Sequence, residues 1–111
     1  MTNWKLLREQ VLSRCKGYCE KCGFPLCEDD FALHHRKLKS RGGKDEIQNL
    51  LALHHACHNT GTNSVHLNVK EATEKGWIVS TRGIPEEVPV TLFDEASVIL
   101  TVEGTYIYLE G

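Results

Sequence analysis

Apolar residues at Trp4, Leu7, Val11 and Leu12 recur at the spacing of one helix face and predict a helix from about Asn3 to Arg14. Gly17 interrupts that pattern, and Gly23 and Pro25 mark turns. The next apolar runs are too short for helices. Phe31-Ala-Leu33 reads as a strand running into His34-His35, and Asn49-Leu-Leu-Ala-Leu53 as a second running into His54-His55. Ser40-Arg-Gly-Gly43 between them is a loop. A further helix is expected to start near His58 or, after a Thr60–Ser64 loop, near Val65; its later part, Val69 to Lys75, stops at Gly76 as a C-cap.

Beyond Trp77 the chain turns β-branched and aromatic. Gly76-Trp-Ile-Val79, Val88-Pro-Val-Thr-Leu-Phe93, Val98-Ile-Leu-Thr-Val102 and Thr105-Tyr-Ile-Tyr-Leu109 read as strands, and the link Glu103-Gly104 is a hairpin signal. The pattern predicts an α+β chain: residues 1–76 form a helix-and-hairpin core, and 77–111 an acidic β extension of the same domain. At 111 residues the chain is one domain with a modest core. No run approaches the roughly 18 apolar residues of a membrane span. The first ten residues lack a signal-peptide core, which predicts a reducing cytoplasm, where cysteines bind metal more often than they pair. An odd count of five cysteines also argues against a pure disulfide framework.

Charge alters this picture through its distribution. The formal net charge is −2, yet Ile84–Gly111 holds six acidic residues and no basic one, which leaves residues 1–83 at +4. Within Arg36–Lys44 five of nine residues are basic and none is acidic. Such a patch fits a phosphate footprint, as it also fits a solvated loop.

Cys19-Glu-Lys-Cys22-Gly23 is a CxxCG knuckle, whose two thiolates can bite one Zn²⁺ while the glycine lets the turn close. No βαβ pattern surrounds it to suggest a redox dithiol. Its partner is His54-His-Ala-Cys57, an HxxC that completes a Cys3His set, with His55 the rival of His54 and Cys27 a competing thiol. Cys15 reads as a helix-end packing residue. A two-cysteine, two-histidine finger fails, because the partner of His35 would fall at 39–41, which are Lys, Ser and Arg. A packed core below about 70–80 residues gains from such a staple folding energy that apolar burial alone does not supply.

Taken in order, RCKGYCEKCG, LHHRKLKSRGG and NLLALHHACHN resemble the HNH endonuclease family of ββα-metal nucleases, over roughly Trp4 to Trp77. A looser similarity through VHLNVKEATEKGWIV and IPEEVPVTLF to GTYIYL resembles small HNH proteins of tailed bacteriophages. The resemblance implies a ββα-metal core stapled by structural zinc, with an N-terminal helix and a small C-terminal antiparallel sheet. It makes His35 the general base, His34 and His58 ligands of a catalytic Mg²⁺, Mn²⁺ or Ni²⁺, and Asn49 the brace of the intervening loop. His66 is a further candidate ligand or phosphate contact, because phage-like members carry their metal histidine four residues before a Val-His pair, and that position is Thr62. His54 also departs from the family, which usually has cysteine there.

The chemistry so implied is cleavage of duplex DNA with little sequence preference. A neutral imidazole accepts a proton from water, and Arg36, Lys37, Lys39 and Arg41 neutralise neighbouring phosphates. Neighbouring strand residues face opposite sides, so His34 and His35 share a site only where a strand end enters an irregular loop. For phage members the family further implies a role in genome packaging in the host cytoplasm, with a terminase or portal partner. The alternative is a non-catalytic zinc-binding adaptor or DNA-binding module on the same scaffold.

Overall fold

The computed structural model describes residues 2–109. Helix α1 (Trp4–Cys15) starts at Asn3, whose side-chain oxygen accepts from the Leu6 amide, a favourable N-cap. It stops where Lys16 and then Gly17 take left-handed backbone angles. Val11 is fully buried and Leu7 and Leu12 pack partly on the core, but Trp4 stays half-exposed with its ring edge-on to His35. The knuckle that follows docks through its backbone, with the Glu20 amide donating to the Ala52 carbonyl.

Strands β1 (Ala32–His35) and β2 (Leu50–Leu53) form an antiparallel hairpin with Ala32 opposite Leu53 and His35 opposite Leu50. All four β2 residues are buried, so this strand is the middle of the core. Gly43 in the connecting loop is required by space: a Cβ there would sit 1.8 Å from the Lys37 carbonyl oxygen. After β2 comes one π-helical turn (Ala56–Thr60) and then α2 (Val69–Glu74), which ends ahead of a left-handed Gly76. The helix expected near His58 or Val65 is therefore split into these two pieces.

The C-terminal strands β3 (Val90–Thr91), β4 (Ser97–Leu100) and β5 (Tyr106–Tyr108) make a three-stranded antiparallel meander. The strand expected at Gly76–Val79 does not form. Its amides are already committed, Trp77 and Ile78 to the Ala72 carbonyl and Val79 to the Arg36 carbonyl. The strand expected at Val88–Phe93 is shortened to Val90–Thr91. The Glu103-Gly104 hairpin is wider than its two-residue signal, since pairing stops at Leu100–Tyr106 and Thr101 and Thr105 bond across the turn. The architecture is α+β, and among the described residues no helix is long and apolar enough to cross a membrane.

Two buried arginines join the parts. Arg14 forms a two-pronged pair with Glu20 at 2.7 and 3.0 Å and donates to the Ile47 and Leu50 carbonyls. Glu20 also accepts from the Ala52 amide and the Tyr106 hydroxyl, which ties the knuckle to both sheets. Arg36 corrects the expectation of a DNA contact. It is 0% exposed and its guanidinium donates to the carbonyls of Gly76, Gln48, Pro85 and Val88 at 2.8–2.9 Å. Backbone acceptors from three separated segments have drawn the charge inward, where it clamps the C-terminal extension onto the hairpin.

Arg36→Ala would leave those carbonyls unpaired and open a cavity. The expected loss is about 3 kcal/mol or more of folding stability, read as a lower denaturation midpoint, while Arg41→Ala should leave the midpoint nearly unchanged.

Candidate metal centres and active site

Cys19, Cys22, His54 and Cys57 bring their ligand atoms within 4.8 Å of one another. The knuckle turn is closed by the Gly23 amide donating to the Cys19 carbonyl, with Gly23 at φ 79°. The other two ligands leave the end of β2 in a helical turn, the Cys57 amide donating to the His54 carbonyl. His54 Nδ1 lies 3.2 Å from Cys22 Sγ, and its Nε2–H must donate to the Pro25 carbonyl, which turns the Nδ1 lone pair to the sulfurs. His55 points elsewhere, to Asp30 at 2.8 Å, and Cys27 is exposed and outside the cluster. Buried Cys15 stands apart, its thiol pushed up to about 11, mainly by burial.

The donor set suits zinc. Burial opposes ionising Cys19, but the amides of Cys22, His54 and Lys21 outweigh it and hold that thiol below its ordinary value. Cys57 is pushed up to about 12 by burial, then by the neighbouring Cys19 and Cys22 sulfurs. Three adjacent sulfurs resist becoming thiolates together unless a divalent cation sits among them. Tetrahedral Zn²⁺ with three sulfurs and one nitrogen needs donor separations of about 3.5–3.8 Å, within the 4.8 Å span of this cluster.

A second cluster gathers His34, His58 and His66, again with ligand atoms within 4.8 Å. His34 comes from β1. His58 comes from the π-helical turn, an irregularity often found at functional sites. His66 is seated beside it because Val65 and His66 donate their amides to the Cys57 and His58 carbonyls. The ring centroids lie 5.1, 5.1 and 4.6 Å apart, and the Nε2 atoms of His58 and His66 are 3.0 Å apart. His34 Nε2 meets the Trp77 carbonyl at 2.7 Å, so it carries the proton and leaves Nδ1 for a ligand. Burial, followed by the neighbouring His58 and His66, pulls His34 down to about 3, although the Trp77 carbonyl works the other way. Burial and then His66 lower His58 to about 4. Both imidazoles are neutral at physiological pH, the state that binds a divalent metal.

His35 does not enter this cluster. The strand runs regularly through both histidines, so they face opposite sides of β1, rather than turning inward together as the strand-end expectation had it. His35 Nε2 lies 2.8 Å from Asp45 Oδ1. Asn49 is buried and spans the loop: its Oδ1 accepts from the Lys37 amide, and its Nδ2 donates to the Lys37 and Lys44 carbonyls. Lys39 and Arg41 are exposed, whereas Lys37 is half-buried with its ammonium on the Gly83 carbonyl.

Sequence reasoning missed Asp45 and the Trp77 carbonyl. Asp45 had one signal, being the first acidic residue after the fourteen non-acidic residues from Phe31 to Lys44. The carbonyl had none.

Residues 19–64 match the family model described as HNH endonuclease. No curated protein and no solved structure matches the chain. The matched segment contains the whole Cys3His set together with His34, His35, Asn49 and His58, and stops short of His66 and Trp77.

Protein purified without added metal should contain about one Zn²⁺ per chain by elemental analysis. Cys22→Ser should lose that zinc and most of its cooperative unfolding transition. A well-folded, zinc-free wild type would contradict the assignment.

Proposed function

With residues 19–64 an HNH endonuclease domain, for which nuclease activity is the general expectation, we propose that this chain is a metal-dependent DNA endonuclease with His35 as its general base. The observation that carries the reading is the convergence of His34, His58 and His66 at the end of the strand that also bears His35. Three imidazoles, two of them held neutral by burial, suit a divalent ion, which would counter charge on a phosphate oxygen and on the leaving 3′-oxygen.

The remaining chemistry belongs to the protein. His35 donates Nε2–H to Asp45, so Nδ1 is the atom free to take a proton from water as the water oxygen attacks phosphorus and the P–O3′ bond breaks, the leaving 3′-oxygen taking a proton from solvent. Because His34 and His35 project to opposite sides of β1, the scissile phosphate lies across the strand terminus, reaching the imidazole cluster on one side and His35 on the other. Asn49 holds the loop that leaves this terminus. Lys39 and Arg41, with Lys37 contributing less, contact flanking phosphates without reading bases. Arg36 takes no part in that contact.

Purified protein with Mg²⁺, Mn²⁺ or Ni²⁺ should nick supercoiled plasmid. His35→Ala should lose about 10²–10⁴ of the rate while keeping its zinc and its DNA affinity. DNA binding without cleavage under all three metals would instead favour a non-catalytic zinc-binding module.

His58→Ala and His66→Ala should each raise the metal concentration needed for half-maximal cleavage, with zinc content unchanged. If His66→Ala left that requirement at the wild-type value, the ligand set would reduce to His34 and His58. Lys39→Ala and Arg41→Ala should weaken binding equally across sequences, each lowering the salt slope by about 1.

A further inference from the structure

We infer that Asp45 is a positioning residue for His35, its carboxylate fixing the direction and protonated nitrogen of the imidazole so that Nδ1 faces the reacting water. This deepens the reading of His35 as the base and rests on it. The contact is 2.8 Å between Nε2 and Oδ1, and the side chains are only 20% and 15% exposed. A carboxylate only accepts, so Nε2 must be the donor nitrogen.

The carboxylate is itself held. Its second oxygen takes the Thr2 hydroxyl at 2.6 Å and the Lys39 ammonium at 3.3 Å. The Thr2 hydroxyl, then His35 and Lys39, keep its carboxyl down at about 2, so it is ionised at any pH where a nuclease would work. Its backbone is anchored as well, because Asn49 Nδ2 donates to the carbonyl of Lys44, the residue before it. From the other direction the Trp4 ring stands edge-on to the imidazole, with centroids 5.8 Å apart. Asn49, Lys44, Asp45 and His35 thus form a continuous brace from the loop to the base. The pair His55–Asp30 has the same 2.8 Å contact, but its side chains are 51% and 75% exposed, and among the described residues no second side chain bonds the Asp30 carboxylate. Of these two pairs, the Asp45 pair is the one built to hold a ring still.

The test compares wild type, His35→Ala, Asp45→Ala and Asp45→Asn, all confirmed to retain zinc. In Asp45→Ala, kcat for plasmid nicking should fall about 10–100-fold while KM for DNA and the metal requirement stay within about twofold. A downfield, slowly exchanging ring N–H proton on His35 Nε2 should be visible by NMR in wild type and absent from Asp45→Ala. Asp45→Asn retains an acceptor oxygen, so it should keep that resonance and nick at least about tenfold faster than His35→Ala. Should Asp45→Ala fold poorly, the wild-type and Asp45→Asn spectra and rates decide the matter alone. Wild-type kcat in Asp45→Ala beside an inactive His35→Ala would overturn the role of Asp45 and leave the base reading standing. So would an Asp45→Asn no faster than His35→Ala, or a wild type without the protected proton. Full activity in His35→Ala would overturn the base reading, and the Asp45 role with it.

Discussion

Cys19 and Cys22 meet His54 and Cys57 across the whole of the β1–β2 hairpin, and the geometry of both clusters depends on that junction. The knuckle meets the core through the fully buried Cys19, with Cys22 packed against it. Its polar attachments include the Glu20 amide on Ala52, the buried Arg14–Glu20–Tyr106 group and the Lys21 ammonium over the Trp77 ring. A Zn²⁺ held by the two cysteines of the knuckle with His54 and Cys57 would supply the remaining constraint and fix where the chain leaves β2. One residue past Cys57 is His58, and the backbone there carries the amides of Val65 and His66. The structural site therefore sets the position of two of the three imidazoles in the second cluster.

The third imidazole depends on the C-terminal extension. Arg36 grips the carbonyls of Gly76, Pro85 and Val88, and the next carbonyl after Gly76, that of Trp77, orients His34. A buried guanidinium without a carboxylate partner is costly unless its N–H groups find acceptors, and here each of its three nitrogens has one. Residues beyond the matched segment thus complete a site whose other parts lie within it. The two histidines at the end of β1 take opposite sides of the strand, one held by the extension and the other by the loop.

Much of this was legible in the chain because it is local. The α1 periodicity located a helix within about one residue at each end, and the two apolar runs located the hairpin. The CxxC and HxxC spacings put four ligand atoms in one place, since each pair spans a single turn. The errors have a common cause. Charge patterning groups Arg36 with its exposed neighbours, yet three of its four acceptors lie 40–52 residues away, and patterning along a chain says nothing about such partners. The Gly76–Val79 run has strand composition, but its amides close a helix end and a hairpin end instead. His66, a further candidate from the sequence, is brought beside His58 by a π-helical turn that no spacing rule describes. The pairing of Asp45 with His35 was hidden for the same reason, a loop conformation set by Asn49.

The central claim is that His34, His58 and His66 hold the catalytic ion. A crystal of the zinc-loaded protein soaked in Mn²⁺ tests it most directly, through an anomalous difference map recorded above the manganese edge and below the zinc edge. The account predicts one strong manganese peak within bonding distance of all three imidazoles, with His34 contributing Nδ1 and its Nε2 still on the Trp77 carbonyl. Manganese bound elsewhere with that cluster empty, or held through His35 in place of His34, would contradict it.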